Sequence, residues 1–210
     1  MNSPSNANTI NLAKDPLVIA SSNTHKIEEL RALLPDGIQL IGQDALGVVG
    51  PEETGCTFIE NALLKARHAA AATGLPAIAD DSGLVVTALN GAPGVKSARY
   101  AGEDASDHDN CLKLLHALNN QSDRRASFHA SLVFLTHADD PDPIIAQGRW
   151  PGEILSSPRG SEGFGYDPLF FIPHLGRSAA ELSQQEKGLL SHRGQALTIL
   201  IAALMERYPQ

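Results

Sequence analysis

The sequence predicts a single α/β domain with a mixed central sheet flanked by helices, and three features carry that prediction. The chain opens in the order strand, loop, helix, strand, which sets helices against a sheet. Residues 126–134 alternate in polarity at the period of a strand, and a turn then leads to a second candidate strand. Strands and helices interleave along 210 residues without a linker or an internal repeat, as one domain with a sizeable core requires.

Leu17-Val18-Ile19-Ala20 is a short apolar run that predicts a buried strand, and Ser21-Ser22-Asn23-Thr24 are loop and cap residues after it. A helix follows with Ile27, Leu30 and Leu34 on one face, stopped by Pro35-Asp36-Gly37. Residues 38–41 are a second candidate strand, and Glu52-Glu53-Thr54-Gly55 is a loop. Thr57 with Glu60 forms a capping box for a helix whose body, 62–73, is rich in Ala and Leu and ends at Gly74. Ala77-Ile78-Ala79 reads as a short strand running into Asp80-Asp81-Ser82-Gly83, with a separate strand over 84–89 closed by Asn90-Gly91.

A helix is predicted over 106–118 and a half-buried strand over 126–134. Residues 139–143 make a turn, 144–149 pair back as a hairpin, and 152–165 read as loop, rich in Gly, Ser and Pro. The last helix, 191–207, is expected to bury Ala196, Ile199, Leu200, Ala203 and Leu204. Hairpins interrupt the parallel units, so the sheet is expected to be mixed.

Hydrophobic residues make up 42% and charged residues 19%, a globular composition. A formal net charge of −8 repels nucleic-acid backbones and anionic membranes, so neither is expected as a partner. Cys56 and Cys111 show no paired or metal-ligand spacing, which suits a reducing compartment and predicts a cytoplasmic protein. The first residues are rich in Asn and Ser and lack signal-peptide character, so a flexible extension over 1–14 is expected ahead of a domain over 15–210. No apolar run approaches the roughly 20 residues of a membrane span.

Five clusters can carry chemistry, and each has a plain alternative. Ser21, Ser22, Asn23, Thr24, His25 and Lys26 lie at a strand end and helix start, where N–H groups and a lysine favour anions. An ordinary cap with a solvated lysine is the plain alternative. Glu52, Glu53, Asp80 and Asp81 offer hard oxygens for magnesium, which needs one or two carboxylates plus phosphates. Adjacent aspartates after a buried strand need a cation or strong hydrogen bonds to relieve their repulsion, and strand alternation points only one of them into a site; exposed turn acids are the alternative. Lys65 follows Glu60 and Asn61 by about one turn and can share their face, unless Lys65-Ala66-Arg67-His68 is a solvated stripe.

Residues 160–168 supply glycines for close backbone approach, with Phe164 and Tyr166 as flat faces for a base, or else form a surface loop with two anchors. Lys187 with Ser191-His192-Arg193-Gly194 is a cationic cluster at a helix start, or a capped helix with exposed charge. The phosphate loop G-x-x-x-x-G-K-[ST], the dinucleotide pattern G-x-G-x-x-G, the zinc helix H-E-x-x-H and the elbow G-x-S-x-G are all absent.

Taken in order, Ser22-Asn23-Thr24-His25-Lys26, Glu52-Glu53-Thr54-Gly55, Thr57-Phe58-Ile59-Glu60-Asn61-Ala62 and Ala79-Asp80-Asp81-Ser82-Gly83-Leu84 form a distinctive series. It continues with Gly91-Ala92-Pro93-Gly94, Ser97-Ala98-Arg99-Tyr100, Gly163-Phe164-Gly165-Tyr166-Asp167-Pro168 and Ser191-His192-Arg193-Gly194. The series resembles the dITP/XTP pyrophosphatase family (HAM1-like, inosine triphosphatase) over nearly the whole chain from Leu17. Two positions depart from the family pattern. Ser22 stands where Gly usually precedes the Asn, and Glu162 replaces one of paired glycines before Phe164.

The resemblance implies a substrate cleft between two lobes, and a magnesium-dependent homodimer that cleaves dITP, ITP and XTP to the monophosphate and pyrophosphate. It makes Asp81 the proton acceptor and a metal ligand, with an acid of the Glu52-Glu53 pair, Glu52 by choice, completing the metal site. It assigns Ser21, Ser22, Asn23, Thr24, His25, Lys26, Lys187 and Ser82 to the triphosphate or sugar. Phe164, Gly165, Tyr166, Asp167, His192 and Arg193 frame the base. The alternatives are a Maf-like pyrophosphatase of modified pyrimidine nucleotides and a non-catalytic nucleotide sensor.

Overall fold

The computed structural model describes residues 15–34 and 37–209; the extension expected over 1–14 and the stop at Pro35-Asp36 lie outside the described residues. Strand β1 (Leu17–Ile19) runs parallel to β2 (Leu40–Gly42) on one side and β3 (Ala77–Val86) on the other. Strands β4 (Arg125–Leu135), β5 (Ile144–Ile154), β6 (Phe170–Ile172) and β7 (Arg177–Ser178) add antiparallel, giving a seven-stranded mixed sheet in the order 2-1-3-4-5-6-7. The helices are α1 (Thr24–Leu33), α2 (Phe58–Thr73), α3 (Asp107–Ala117), α4 (Gln184–Leu190) and α5 (His192–Arg207).

The two faces of the sheet bury different helices. Helix α2 sets Ala62, Ala66, Ala69 and Ala70 against Val18, Ala77, Ala79, Val133 and Leu135. On the other face α5 sets Ala196, Leu197, Leu200 and Leu204 against Leu17, Ile19, Ile78, Leu132 and Phe134. Farther along the long strands, Leu84, Val86, Phe128, Trp150 and Phe170 join Cys111 and Leu114 of α3 in a separate apolar cluster. Alternation along β3 puts Asp80 and Ser82 between Ile78 of one cluster and Leu84 of the other, on the same strand face. A polar seam therefore divides two apolar cores.

Several elements differ from the sequence reading. The short strand, polar loop and second strand expected over 77–89 are one ten-residue strand, followed by a 3-10 turn at Thr87–Leu89. β3 pairs with β4 from Ala77↔Leu135 to Val86↔Ala126, and that continuous ladder holds the polar stretch extended. β4 is buried on both faces over most of its length, because α2 and α5 cover opposite sides. β5 continues to Ile154, into the stretch expected to be loop. α4, β6 and β7 are too short to show a period and were not anticipated. On α5 Ile199 is 50% exposed, whereas Leu197 is buried. The buried stripe follows Arg193, Leu197, Leu200 and Leu204, so Ile199 falls off it.

Sheet and helix approach closely at Gly148 of β5, where an added Cβ would collide with the His192 carbonyl oxygen and lie 2.8 Å from the Ala196 nitrogen. Both neighbours are backbone and cannot rotate away. Gly148→Ala should therefore destabilise by about 1–3 kcal/mol or more, as overpacked cores do. Thermal melting is expected to show a midpoint lower by roughly 2 °C or more; an unchanged midpoint would refute the packing described.

Candidate active site

β1 ends at Ile19 while β3 continues for several residues, so the middle of β3 has no strand beside it on that edge. The first loop turns over this gap into α1. Asn23 is the N-cap, its side chain accepting from the Lys26 N–H at 3.1 Å, and Ser21 Oγ accepts from the Asn23 N–H at 3.1 Å. Ser21, Ser22, Asn23 and Lys26 line a cleft of roughly 630 Å³. Thr24 lies exposed in the first turn, and His25 stacks on Phe164 at 5.2 Å, away from the rest of the loop. The Ser22 hydroxyl donates to Asp44 Oδ1 at 3.1 Å and accepts from Gln43 Nε2 at 3.3 Å.

The two aspartates face opposite sides of β3, as strand alternation requires. Asp80 accepts from Arg193 Nε at 2.7 Å, and the Lys26 ammonium lies 3.9 Å from the same oxygen. Burial pushes the Asp80 pKa up, but Lys26 and Arg193 outweigh it and hold the carboxyl well below the usual range. Asp81 accepts from Lys65 Nζ at 2.8 Å, with Asn61 Nδ2 at 3.4 Å from its other oxygen. Here burial prevails over Lys65, and the Asp81 pKa is raised. Lys65 also donates to Glu53 Oε1 at 2.8 Å and to the Asp80 carbonyl at 2.9 Å, while Arg99 meets the other Glu53 oxygen at 3.1 Å. The stripe read from sequence thus divides: Lys65 and Asn61 face Asp81, and Arg67 and His68 are exposed.

Glu52 is exposed and opens onto the same cleft as Glu53, Asp80 and Lys65. Among the described residues, no three His, Cys, Asp or Glu side chains converge into a closed metal site. The chemistry of the donors nonetheless fits a hard divalent ion: carboxylate oxygens of Glu53 and Asp81 already converge on one cation, the Lys65 ammonium. An open site with few protein ligands suits an ion that takes its remaining ligands from phosphate and water.

Beyond this cleft lies a second cavity lined by Ser82, Phe128, Phe164, Gly165, Tyr166, Asp167, Lys187, His192 and Arg193, and the two share Asn23, Lys26 and Ala98. Arg193 is 2% exposed and donates to Asp80, to Ser82 Oγ at 3.0 Å and to Glu29. Lys187 donates to Glu29 at 2.9 Å and to Asp167 at 2.6 Å, and its ammonium stands 4.7 Å over the Phe164 ring. Asp167 also accepts from the Phe164 N–H at 3.0 Å, fixing the loop. Gly163 takes φ of 77° there, and an added Cβ would collide with Asp167 Oδ2. Glu162 is exposed, so its side chain does not enter the cavity. Tyr166 OH donates to the Ser97 carbonyl at 2.8 Å, and His192 stacks on Phe128 at 4.8 Å.

Most of the residues singled out from sequence are thus gathered around two joined cavities. Glu29, Gln43, Asp44, Arg99 and Phe128 were missed. Glu29 follows Lys26 by three residues, so helical spacing was its one available signal. The other four come from three elements, Gln43 and Asp44 sharing one 3-10 turn, and meet the site only through the fold.

Burial, reinforced by Arg193, holds the His192 pKa well below the ordinary imidazole value of 6.5. The unfolded chain gains a proton below that pH and the folded protein does not, so stability from this group is present above pH 6.5 and lost as pH falls. His192→Gln should therefore flatten the fall in melting temperature between pH 6.5 and about 5. Parallel profiles for the two proteins would contradict it.

Comparison with known proteins identifies similar chains and folds. The model of the Ham1 family matches residues 17–203, which include every site residue above. The chain is 58% identical over 193 residues to the dITP/XTP pyrophosphatase of Yersinia pestis, covering 90% of this chain and 98% of that protein. It is 57% identical over 191 residues to the dITP/XTP pyrophosphatase of Escherichia coli O157:H7, covering 90% and 97%. A HAM1 protein from Coxiella burnetii superposes with a TM-score of 0.86 at 52% identity, over 91% of this chain and 98% of that one. The Staphylococcus aureus Ham1 protein gives 0.82 at 45% identity, over 91% and 98%. With the family model matching residues 17–203, 58% identity to a relative across nearly its whole length and a shared fold, the chain belongs to the Ham1 family.

Proposed function

We propose that the protein hydrolyses the non-standard purine nucleoside triphosphates dITP, ITP and XTP to the monophosphate and pyrophosphate. The observation that carries this reading is the continuity of the two cavities: a cleft walled by Lys26, Lys65, Arg99 and carboxylates runs into an aromatic slot through Asn23, Lys26 and Ala98. A triphosphate suits the first and a flat base the second. The names of the relatives, dITP/XTP pyrophosphatase, favour the same substrates.

In this reading Asp81 takes the proton of a water that attacks the α-phosphorus as pyrophosphate leaves. Its raised pKa makes it a better proton acceptor than an ordinary carboxylate, and Lys65 fixes its orientation. Ser21, Ser22, Asn23, Thr24 and Lys26 present the helix start to the phosphates, with Ser82 and Lys187 toward the sugar. A magnesium ion held by Asp81 with Glu52 or Glu53 would neutralise phosphate charge when bound. Phe164 and His192 frame the base, with Gly165, Tyr166 and Asp167 shaping the loop and His25 backing Phe164.

Arg193 keeps two of its five N–H groups beyond the three contacts described, and these suit the 6-keto oxygen of hypoxanthine or xanthine. Adenine would oppose its amino group to the same donors, a mismatch that can discriminate by about 10⁴. The reading includes a homodimer acting on the cytoplasmic nucleotide pool, with the domain spanning 15–210 after a flexible extension over 1–14. The net charge of −8 argues against a nucleic-acid partner. No single helix among the described residues is long and apolar enough to cross a membrane.

Phosphate release from dITP and XTP with magnesium should require added inorganic pyrophosphatase, whereas dATP should give little signal. Phosphate without the added enzyme would mean stepwise phosphatase chemistry, and silence on every purine would leave a nucleotide sensor or a pyrimidine-directed enzyme. Asp81→Asn should lower kcat at least 10²-fold, as loss of a general base does. Near-normal turnover in that variant would remove Asp81 from its role.

A further inference from the structure

Lys65 of α2 holds two of the acids on which the metal reading rests. Its ammonium donates to Glu53 Oε1 at 2.8 Å, to Asp81 Oδ1 at 2.8 Å and to the Asp80 carbonyl at 2.9 Å. An ammonium has three N–H groups, and these three oxygens use all of them. The Lys65 side chain is 12% exposed, that of Glu53 22% and that of Asp81 6%. Burial works against the charge, but Asp81 and Glu53 outweigh it and raise the Lys65 pKa, so the group stays a cation. Each carboxylate is also held on its far oxygen: Arg99 meets Glu53 Oε2 at 3.1 Å, and Asn61 Nδ2 stands 3.4 Å from Asp81 Oδ2. Groups other than Lys65 therefore help to aim both acids at one point.

That point is reached from the cleft, since Glu53 and Lys65 both line it and Asp81 Oδ1 is one hydrogen bond from the same Nζ. Carboxylate and carbonyl oxygens that converge in this way are what a hard divalent ion binds. Two cations drawn to the same oxygens repel, and at such low exposure the repulsion is only weakly screened. We propose that Lys65 is a placeholder for the divalent ion: its ammonium occupies the oxygens of Glu53 and Asp81 that the ion takes over, so that one cation enters only as the other withdraws. Lys65 has a flexible four-carbon stem and borders a cleft that also holds Lys26 and Arg99. A bare ion has to push the ammonium toward those two cations. An ion that arrives with a triphosphate brings acceptors of opposite charge to receive it. The exchange couples metal binding to nucleotide binding, and it spares the two acids an unpaired encounter.

This inference rests on the divalent-ion reading of the cleft, and Mn²⁺ binding followed by electron paramagnetic resonance tells the two apart. The unaltered chain, Lys65→Met and Arg99→Met are compared without nucleotide and with the non-hydrolysable α,β-imido analogue of ITP. Without nucleotide, Lys65→Met should bind Mn²⁺ about tenfold or more tighter than the unaltered chain, because a competing charge in direct contact is gone. Arg99 reaches Glu53 but not Asp81, so Arg99→Met should gain clearly less. No gain in Lys65→Met, or an equal gain in Arg99→Met, would overturn the inference and leave the metal reading standing. Failure of the unaltered chain to retain Mn²⁺ even with the analogue would overturn both. Mn²⁺ should also raise the melting midpoint of Lys65→Met more than that of the unaltered chain, since a ligand of the folded state stabilises it; equal rises would overturn the inference too. Lys65→Gln, which keeps N–H donors without the charge, replaces Lys65→Met if the latter does not fold.

Discussion

The buried ion pair between Arg193 and Asp80 is the constraint on which the rest of this structure depends. It joins the first turn of α5 to the middle of β3, 113 residues apart in the chain. A guanidinium 2% exposed cannot remain unpaired in such a place, and its contacts to Asp80, Glu29 and Ser82 fix the rotation of α5 against the sheet. The same rotation decides which residues of α5 reach the apolar core. Glu29 extends the pair to Lys187, so α1, α4, α5 and β3 meet in one charged seam.

That seam could not exist in the interior of a regular sheet with helices packed along its whole length. It exists because β1 stops where β3 goes on, and because the apolar residues of β3 fall into two groups with Asp80 and Ser82 between them. The strand offers one aspartate to each face. On one side Asp80 is kept ionised by Lys26 and Arg193, and on the other Asp81 is kept readier to hold a proton by its burial. Titratable groups whose environments push their pKa values apart are suited to different roles. Under the proposed function, Asp80 would organise the Arg193 side of the cleft and Asp81 would be left for the water.

Much of the fold was legible because local rules and tertiary packing agreed. Thr57 and Glu60 make their capping box, Ser106 caps α3, and the hairpin over 126–149 has its turn where expected. The polar stretch at 80–83 misled, because a loop and a buried strand with paired charges have the same composition. Only the ladder with β4 and the cations Lys26, Lys65 and Arg193 make it a strand. Ile199 misled for a related reason: several rotations of α5 bury an apolar stripe, and Arg193 selects one.

The sequence by itself determined the α/β class, the starts of the longer helices, the polar first loop and the set of residue types gathered at the cleft, because these follow from short-range periodicity, capping and ordered motifs. The tertiary structure alone decided which charged and polar groups are partners. Lys65 with Asp81 and Glu53, Glu29 with Lys187 and Arg193, and Gln43 with Ser22 join positions from 12 to 164 residues apart. Charge interactions depend on distance in space and on burial, and neither is written in any local pattern of the chain.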